Sequence, residues 1–177
     1  MKDFSKSLPD APGAHIYTAG LAWGKAALKE QLGYWSRHGL TTVCDVRRFP
    51  DRTKDEARRP AWLAPACRVA DLHYAPMPCL GPPPAMFDAY VAIKGGDSAW
   101  WDFTRAYNTY LSTTEGKEGR AAVRTRLERG ERVVLICVER DPRRCHRTSL
   151  GHTFGARELP PEGQLTLSTL LGLEVVK

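Results

Sequence analysis

The sequence predicts an α/β protein: one domain with a mainly parallel sheet and helices on both faces, in a Rossmann-like arrangement. Three observations carry this. Short apolar runs rich in β-branched residues alternate with longer stretches of helical spacing, the pattern of βαβ units. The most apolar run, Val133-Val-Leu-Ile-Cys137, contains no polar residue, as expected of a strand covered on both faces. Charged residues collect where these runs end, the edge at which such sheets place ligand sites.

The elements follow in order. Residues 1–14 hold Pro9, Pro12 and Gly13 and read as a flexible lead-in to a single domain over residues 15–177. Residues 15–20 form the first strand, stopped by Gly20. Over residues 23–38, Leu28, Leu32 and Trp35 recur every three to four positions, which predicts a helix, with Gly39 as its cap. Residues 41–47 form a second strand. A strand, a helix and a strand at this spacing make the two strands parallel. Residues 51–60 are highly charged and read as a solvated loop or a mobile loop facing a ligand. Residues 61–70 form a short helix and residues 72–77 a third strand, ended by Pro76 and Pro78.

Residues 85–93 and 98–111 are two helices. The second carries Trp100, Trp101, Phe103, Tyr107 and Tyr110, a stripe that packs as core. Residues 115–129 form an amphipathic helix with Val123 and Leu127 inward and Arg120, Arg124 and Arg126 in solvent; Gly130 caps it. Val133 to Cys137 is the next strand. A charged loop follows, and then a helix whose N-terminus carries Cys145, His146 and Arg147. Apolar pieces at 165–167 and 173–176 offer an edge strand.

The chain of 177 residues is long enough for a proper core. It has no apolar run near the ~20 residues that cross a bilayer and no apolar signal segment in residues 1–10. Five scattered cysteines do not suggest a disulfide framework; reduced thiols in a cytoplasm are expected. A net charge of +6 and a pI of about 9.2 suit an anionic partner, a small molecule or a nucleic acid. Arginines gather at Arg47, Arg48 and Arg52, and again at Arg140, Arg143, Arg144 and Arg147.

If the second strand and the strand at 133–137 are near neighbours, these clusters meet in one crevice. Asp45 and Glu139 then lie at the same sheet edge, with at least one of them touching an arginine of the other cluster. Glu139 or Asp45 is the candidate general acid or base, and Cys145 or His146 the reactive or orienting group. Arg47, Arg48, Arg140, Arg143, Arg147 and Tyr74 are the candidate ligand-binding set. Cys145 at a helix N-terminus beside Arg147 is expected to have a depressed pKa. Cys137, five residues and Arg143 also spell a phosphatase-like loop, although Glu139 and Asp141 would repel phosphate there. Cys137, Cys145 and His146, with Glu139, form an alternative metal set. Cys137 can equally be a buried structural thiol, with Glu139 paired to Arg147.

The run Cys137-x-Glu139, five residues, then Cys145-His146-Arg147 resembles the signature of the domain of unknown function 488 family. Asp45-Val46-Arg47 with Pro50 fits the same family, as does Tyr74-x-x-Met77-Pro78-x-Leu80-Gly81. The resemblance spans roughly residues 15–155 and departs at Pro82, where a second Gly is common. It implies the α/β fold and a site at these motifs, and supplies no reaction. The expectation is an enzyme that acts on a phosphate-bearing ligand, a nucleotide or nucleic acid. The alternatives are a non-catalytic nucleic-acid-binding module and a metal or thiol redox protein; no cofactor is assigned.

Overall fold

The computed structural model describes residues 15–92, 96–139 and 141–159. Five strands form one all-parallel sheet: β1 (Ile16–Gly20), β2 (Thr42–Asp45), β3 (His73–Pro76), β4 (Val133–Cys137) and β5 (Arg157–Glu158), in the order β3-β2-β4-β1-β5. The helices are α1 (Lys25–Arg37), α2 (Pro60–Val69), α3 (Pro84–Ala92), α4 (Asp97–Tyr110), α5 (Thr114–Glu128) and α6 (His146–His152). Among the described residues no helix is long and apolar enough to cross a membrane.

β4 takes the centre because all five of its residues are apolar and buried. Side chains alternate across a sheet, so β4 feeds two cores. Val134 and Ile136 meet Leu28, Leu32 and Trp35 of α1 and Leu63 of α2. Val133 and Leu135 meet Phe103 and Tyr107 of α4, Val123 of α5 and Leu150 of α6. Each such side chain contributes about 1.5–3 kcal/mol when fully buried. Helices therefore cover both faces, as the sequence predicts, and the aromatic stripe of α4 is core at Phe103, Tyr107 and Tyr110 while Trp101 stays exposed.

Register brings the carboxyl ends together. Asp45 stands opposite Ile136, and Gly20 opposite Cys137. Just beyond the ladder, Val46 N–H donates to the Ile136 carbonyl.

Several expectations change. The described edge strand is Arg157–Glu158; the pieces at 165–167 and 173–176, the lead-in 1–14, Ile93 and Arg140 lie outside the described residues. Residues 51–60 are not simply a solvated loop. They contain two short 3-10 turns, and Arg58 is buried at 1% exposure. Arg124 is exposed as expected, but Arg120 and Arg126 are half-buried, and Arg126 pairs with Glu131 at 3.0 Å. Gly81 is a place where only glycine fits: a Cβ there would lie 2.3 Å from the Arg48 backbone nitrogen. That close approach brings the loop after β3 against the loop after β2.

Candidate functional site

Two clusters form at the carboxyl edge, on the adjacent strands β2 and β4. At the end of β2, Asp45 is fully buried. It accepts from Arg47 Nε at 2.7 Å and Nη2 at 2.5 Å, and from the Tyr74 hydroxyl at 2.6 Å. A bidentate guanidinium–carboxylate pair is the strongest such contact available. Arg47 Nη2 also donates to the Arg58 carbonyl at 2.7 Å. Burial opposes charge on Arg47, but Asp45 outweighs this and holds the guanidinium charged. Burial, reinforced by the Asp45 charge, pushes the Tyr74 phenol far up.

At the end of β4, Cys137, Glu139, Cys145 and His146 converge, and one donor atom from each lies within 4.8 Å of the others. Cys137 Sγ is 2.5 Å from Glu139 Oε2 and 3.9 Å from His146 Nδ1, and Cys145 Sγ is 3.4 Å from Glu139 Oε2. His146 Nε2 lies 3.1 Å from the Val46 carbonyl. That carbonyl can only accept, so Nε2 carries the proton.

The electrostatics single out one thiol. Burial alone would raise Cys137, but the Cys145 thiol and the His146 ring stabilise its anion and hold it well below the ordinary thiol value. Cys145 is pushed well up, by burial and by the Cys137 charge. The depressed thiol is therefore Cys137 and not Cys145, because only one of two touching sulfurs can carry the charge. Burial disfavours charge on His146 as well, yet the Cys137 anion outweighs it and raises the imidazole. Burial, then the Cys137 charge, lifts Glu139 to about 7. Elsewhere burial leaves Cys44 and Cys67 at about 12, as inert packed thiols.

The second cluster opens onto a cavity of about 420 Å³. Its floor includes Cys137, Glu139, Cys145 and His146, its walls Arg47, Arg48, Arg52 and Arg144, and its aromatic sides Phe49, Phe87, Trp100 and Phe103. Arg47 is 6% exposed, and among the described residues its Nη1 has no hydrogen-bond partner; nor has Arg48 Nε. Arg48 otherwise holds Glu115 at 2.6 Å and Tyr110 at 2.9 Å.

Of the sequence-predicted residues, the cavity gathers Glu139, Cys145, His146, Arg47 and Arg48. It does not gather Asp45, Tyr74, Arg143 or Arg147. Arg143 is exposed and folds back on Asp141 at 2.9 Å, so the phosphatase-like loop is not formed. Arg147 is fully buried; it binds Glu158 at 2.8 Å and donates to the backbone carbonyl of Glu139 at 2.5 Å, not to its carboxylate. Asp45 and Glu139 share an edge as expected, but among the described residues neither carboxylate touches an arginine of the other cluster; His146 to Val46 bridges the two ends.

Sequence reasoning missed Arg58. Its guanidinium donates to the carbonyls of Ala22 (2.9 Å), Leu21 and Val138 (3.3 Å), and stacks 3.9 Å from the Trp23 ring. It ties the loops after β1 and β4 together. Its one local partner is Asp55, at 3.6 Å; the carbonyls and the ring that bury it are distant in sequence, so nothing local in a charged loop marks it out.

A family model described as domain of unknown function DUF488 matches residues 27–153. No curated protein and no solved structure matches the chain. The matched stretch contains β2, β4 and both clusters described above. The chain belongs to the DUF488 family.

Proposed function

We propose that the cavity binds a phosphate-bearing ligand, a nucleotide or nucleic acid, and that the protein is an enzyme acting on it at the Cys137 cluster. The observation that carries this is the state of Arg47. A buried guanidinium N–H without a partner is costly, and here it belongs to a residue of the cavity wall. An anion supplies the missing acceptor. Arg48, Arg52 and Arg144 add positive charge, and the half-exposed rings of Phe49 and Phe87 suit a planar base.

Glu139 is the general acid or base of this reading, because it lies in the cavity and its raised pKa lets it carry or release a proton near neutrality. Asp45 is a positioning residue: it holds Arg47. The same reading places the protein in the cytoplasm, where its free cysteines stay reduced.

The test is calorimetric titration of the whole protein with inorganic phosphate, a nucleoside monophosphate and a short oligonucleotide. Arg52→Ala should weaken binding roughly tenfold, the loss of about one charge-assisted contact. Arg124→Ala, on the exposed face of α5, should leave it unchanged. Equal losses at both positions would replace the cavity with a diffuse basic face, the non-catalytic nucleic-acid-binding alternative. No binding of any probe would end the anion reading.

A further inference from the structure

We infer that Cys137, Cys145, His146 and Glu139 form a binding site for a divalent transition-metal cation of the zinc class. Three of the four side chains are at least nine-tenths buried: Cys137 at 2%, Cys145 at 1% and His146 at 8% exposure. Two thiols, an imidazole and a carboxylate have no packing reason to turn toward one another in an apolar interior. Packing alone keeps thiols apart, as Cys44 and Cys67 lie in different cores.

The spacing fits. Ligand atoms held about 2.0–2.3 Å from one tetrahedral ion are themselves about 3.3–3.8 Å apart. The contact of 3.4 Å (Cys145 to Glu139) lies within that range and that of 3.9 Å (Cys137 to His146) just above it. The 2.5 Å contact between Cys137 and Glu139 opens by a side-chain rotation of Glu139, which has no other side-chain anchor than the two thiols.

A second observation is independent of the cluster's own contacts. His146 donates from Nε2 to the Val46 carbonyl at 3.1 Å, in the loop after β2. This fixes the ring and directs the Nδ1 lone pair of the neutral tautomer at the sulfurs. Metal-binding histidines are held in this way by a backbone or carboxylate acceptor on the far nitrogen.

The surrounding charge also fits. A divalent ion with two thiolates, one carboxylate and a neutral imidazole carries a net −1. Arg47 and Arg147 flank it but are each paired with a carboxylate, Asp45 and Glu158; the compensating charge comes from the cavity wall, where Arg52 has no carboxylate partner among the described residues. On binding, the Cys145 thiol proton and the proton shared between Cys137 and Glu139 leave to solvent, with the Nδ1 proton of His146 where the ring is charged. Two thiolates and an imidazole select zinc-class ions over magnesium or calcium.

The inference does not depend on anion binding, because the phosphate titration can be repeated on chelator-treated protein. The experiment is elemental analysis of the full chain, purified without an affinity tag or chelator. X-ray absorption on the zinc-loaded protein and cobalt(II) spectra of the reconstituted protein complete it. Expected are one ion per chain, two sulfur donors at about 2.3 Å and two nitrogen or oxygen donors at about 2.0 Å, and thiolate-to-cobalt charge-transfer bands. Cys137→Ser and Cys145→Ser should each lower cobalt affinity at least about tenfold, and Cys79→Ser should not. Folded protein that takes up neither zinc nor cobalt stoichiometrically overturns the site. So does a donor set without sulfur, or affinity unmoved by both cysteine variants. The wild-type spectra keep the question answerable if a variant fails to fold.

Discussion

The ends of β2 and β4 lie side by side and hold similar inventories, yet they are built to opposite ends. At β2, Asp45 has spent its carboxylate on Arg47 and Tyr74. At β4, Glu139 faces two thiols and a cavity, with no guanidinium of the described residues on its carboxylate. Counting charges at strand ends does not separate a structural knot from a reactive site. What separates them is whether the groups have already satisfied one another. The closed end holds the backbone in place, and the open end keeps its chemistry available.

The largest expected effect tests the closed end. Asp45→Ala leaves the Arg47 guanidinium buried without its counter-charge, and should cost about 3–5 kcal/mol of stability, read from urea unfolding. A loss under about 1 kcal/mol would mean that β2 is as open as β4. Next comes the tie between the two ends. Arg58→Ala frees three backbone carbonyls and uncovers Trp23, and should cost about 3 kcal/mol, the scale of a charged hydrogen-bonding group lost from the interior. Hydrogen exchange should rise in the loops after β1 and β4 first. If it rises uniformly, Arg58 is not a local clamp.

The smallest effect is the sharpest for the comparison. Glu139→Gln should change stability by no more than about 1 kcal/mol, because burial already disfavours its charge, while weakening cobalt binding measurably. A stability loss as large as that of Asp45→Ala would make both ends structural.

Much of this was legible in the chain. The apolar run 133–137 has a single reading, a strand covered twice, and its charged sequel marks the site edge. The helix of residues 25–37 and its partners follow from spacing alone. The roles within the site were less legible. Asp45 and Arg47 are two residues apart, but Tyr74 is distant in sequence, and only the β2–β3 register brings it to their closed set. Which thiol carries the charge depends on where His146 points, and that is fixed by a carbonyl one hundred residues away. Arg58 takes its importance mainly from the carbonyls of Leu21, Ala22 and Val138, which are distant in sequence. Arg147 falls in the first turn of a helix, where an anion ligand is expected, but its side chain turns under the loop to Glu158.

The strand order has a consequence for how the chain reaches this state. β4 sits between β1 and β2 but is synthesised after both and after β3. Adjacent strands are about 4.8 Å apart, so β1 and β2 stand nearly 10 Å from each other with no ladder between them until residue 133 and beyond arrive. Of the amino-terminal strands, β2 and β3 can pair with each other, but β1 cannot join them. Uniting the two requires inserting β4 between them, a non-local step that slows folding. The same insertion aligns Cys137 with the loop after β2 that holds His146, so joining the sheet and assembling the site are one event.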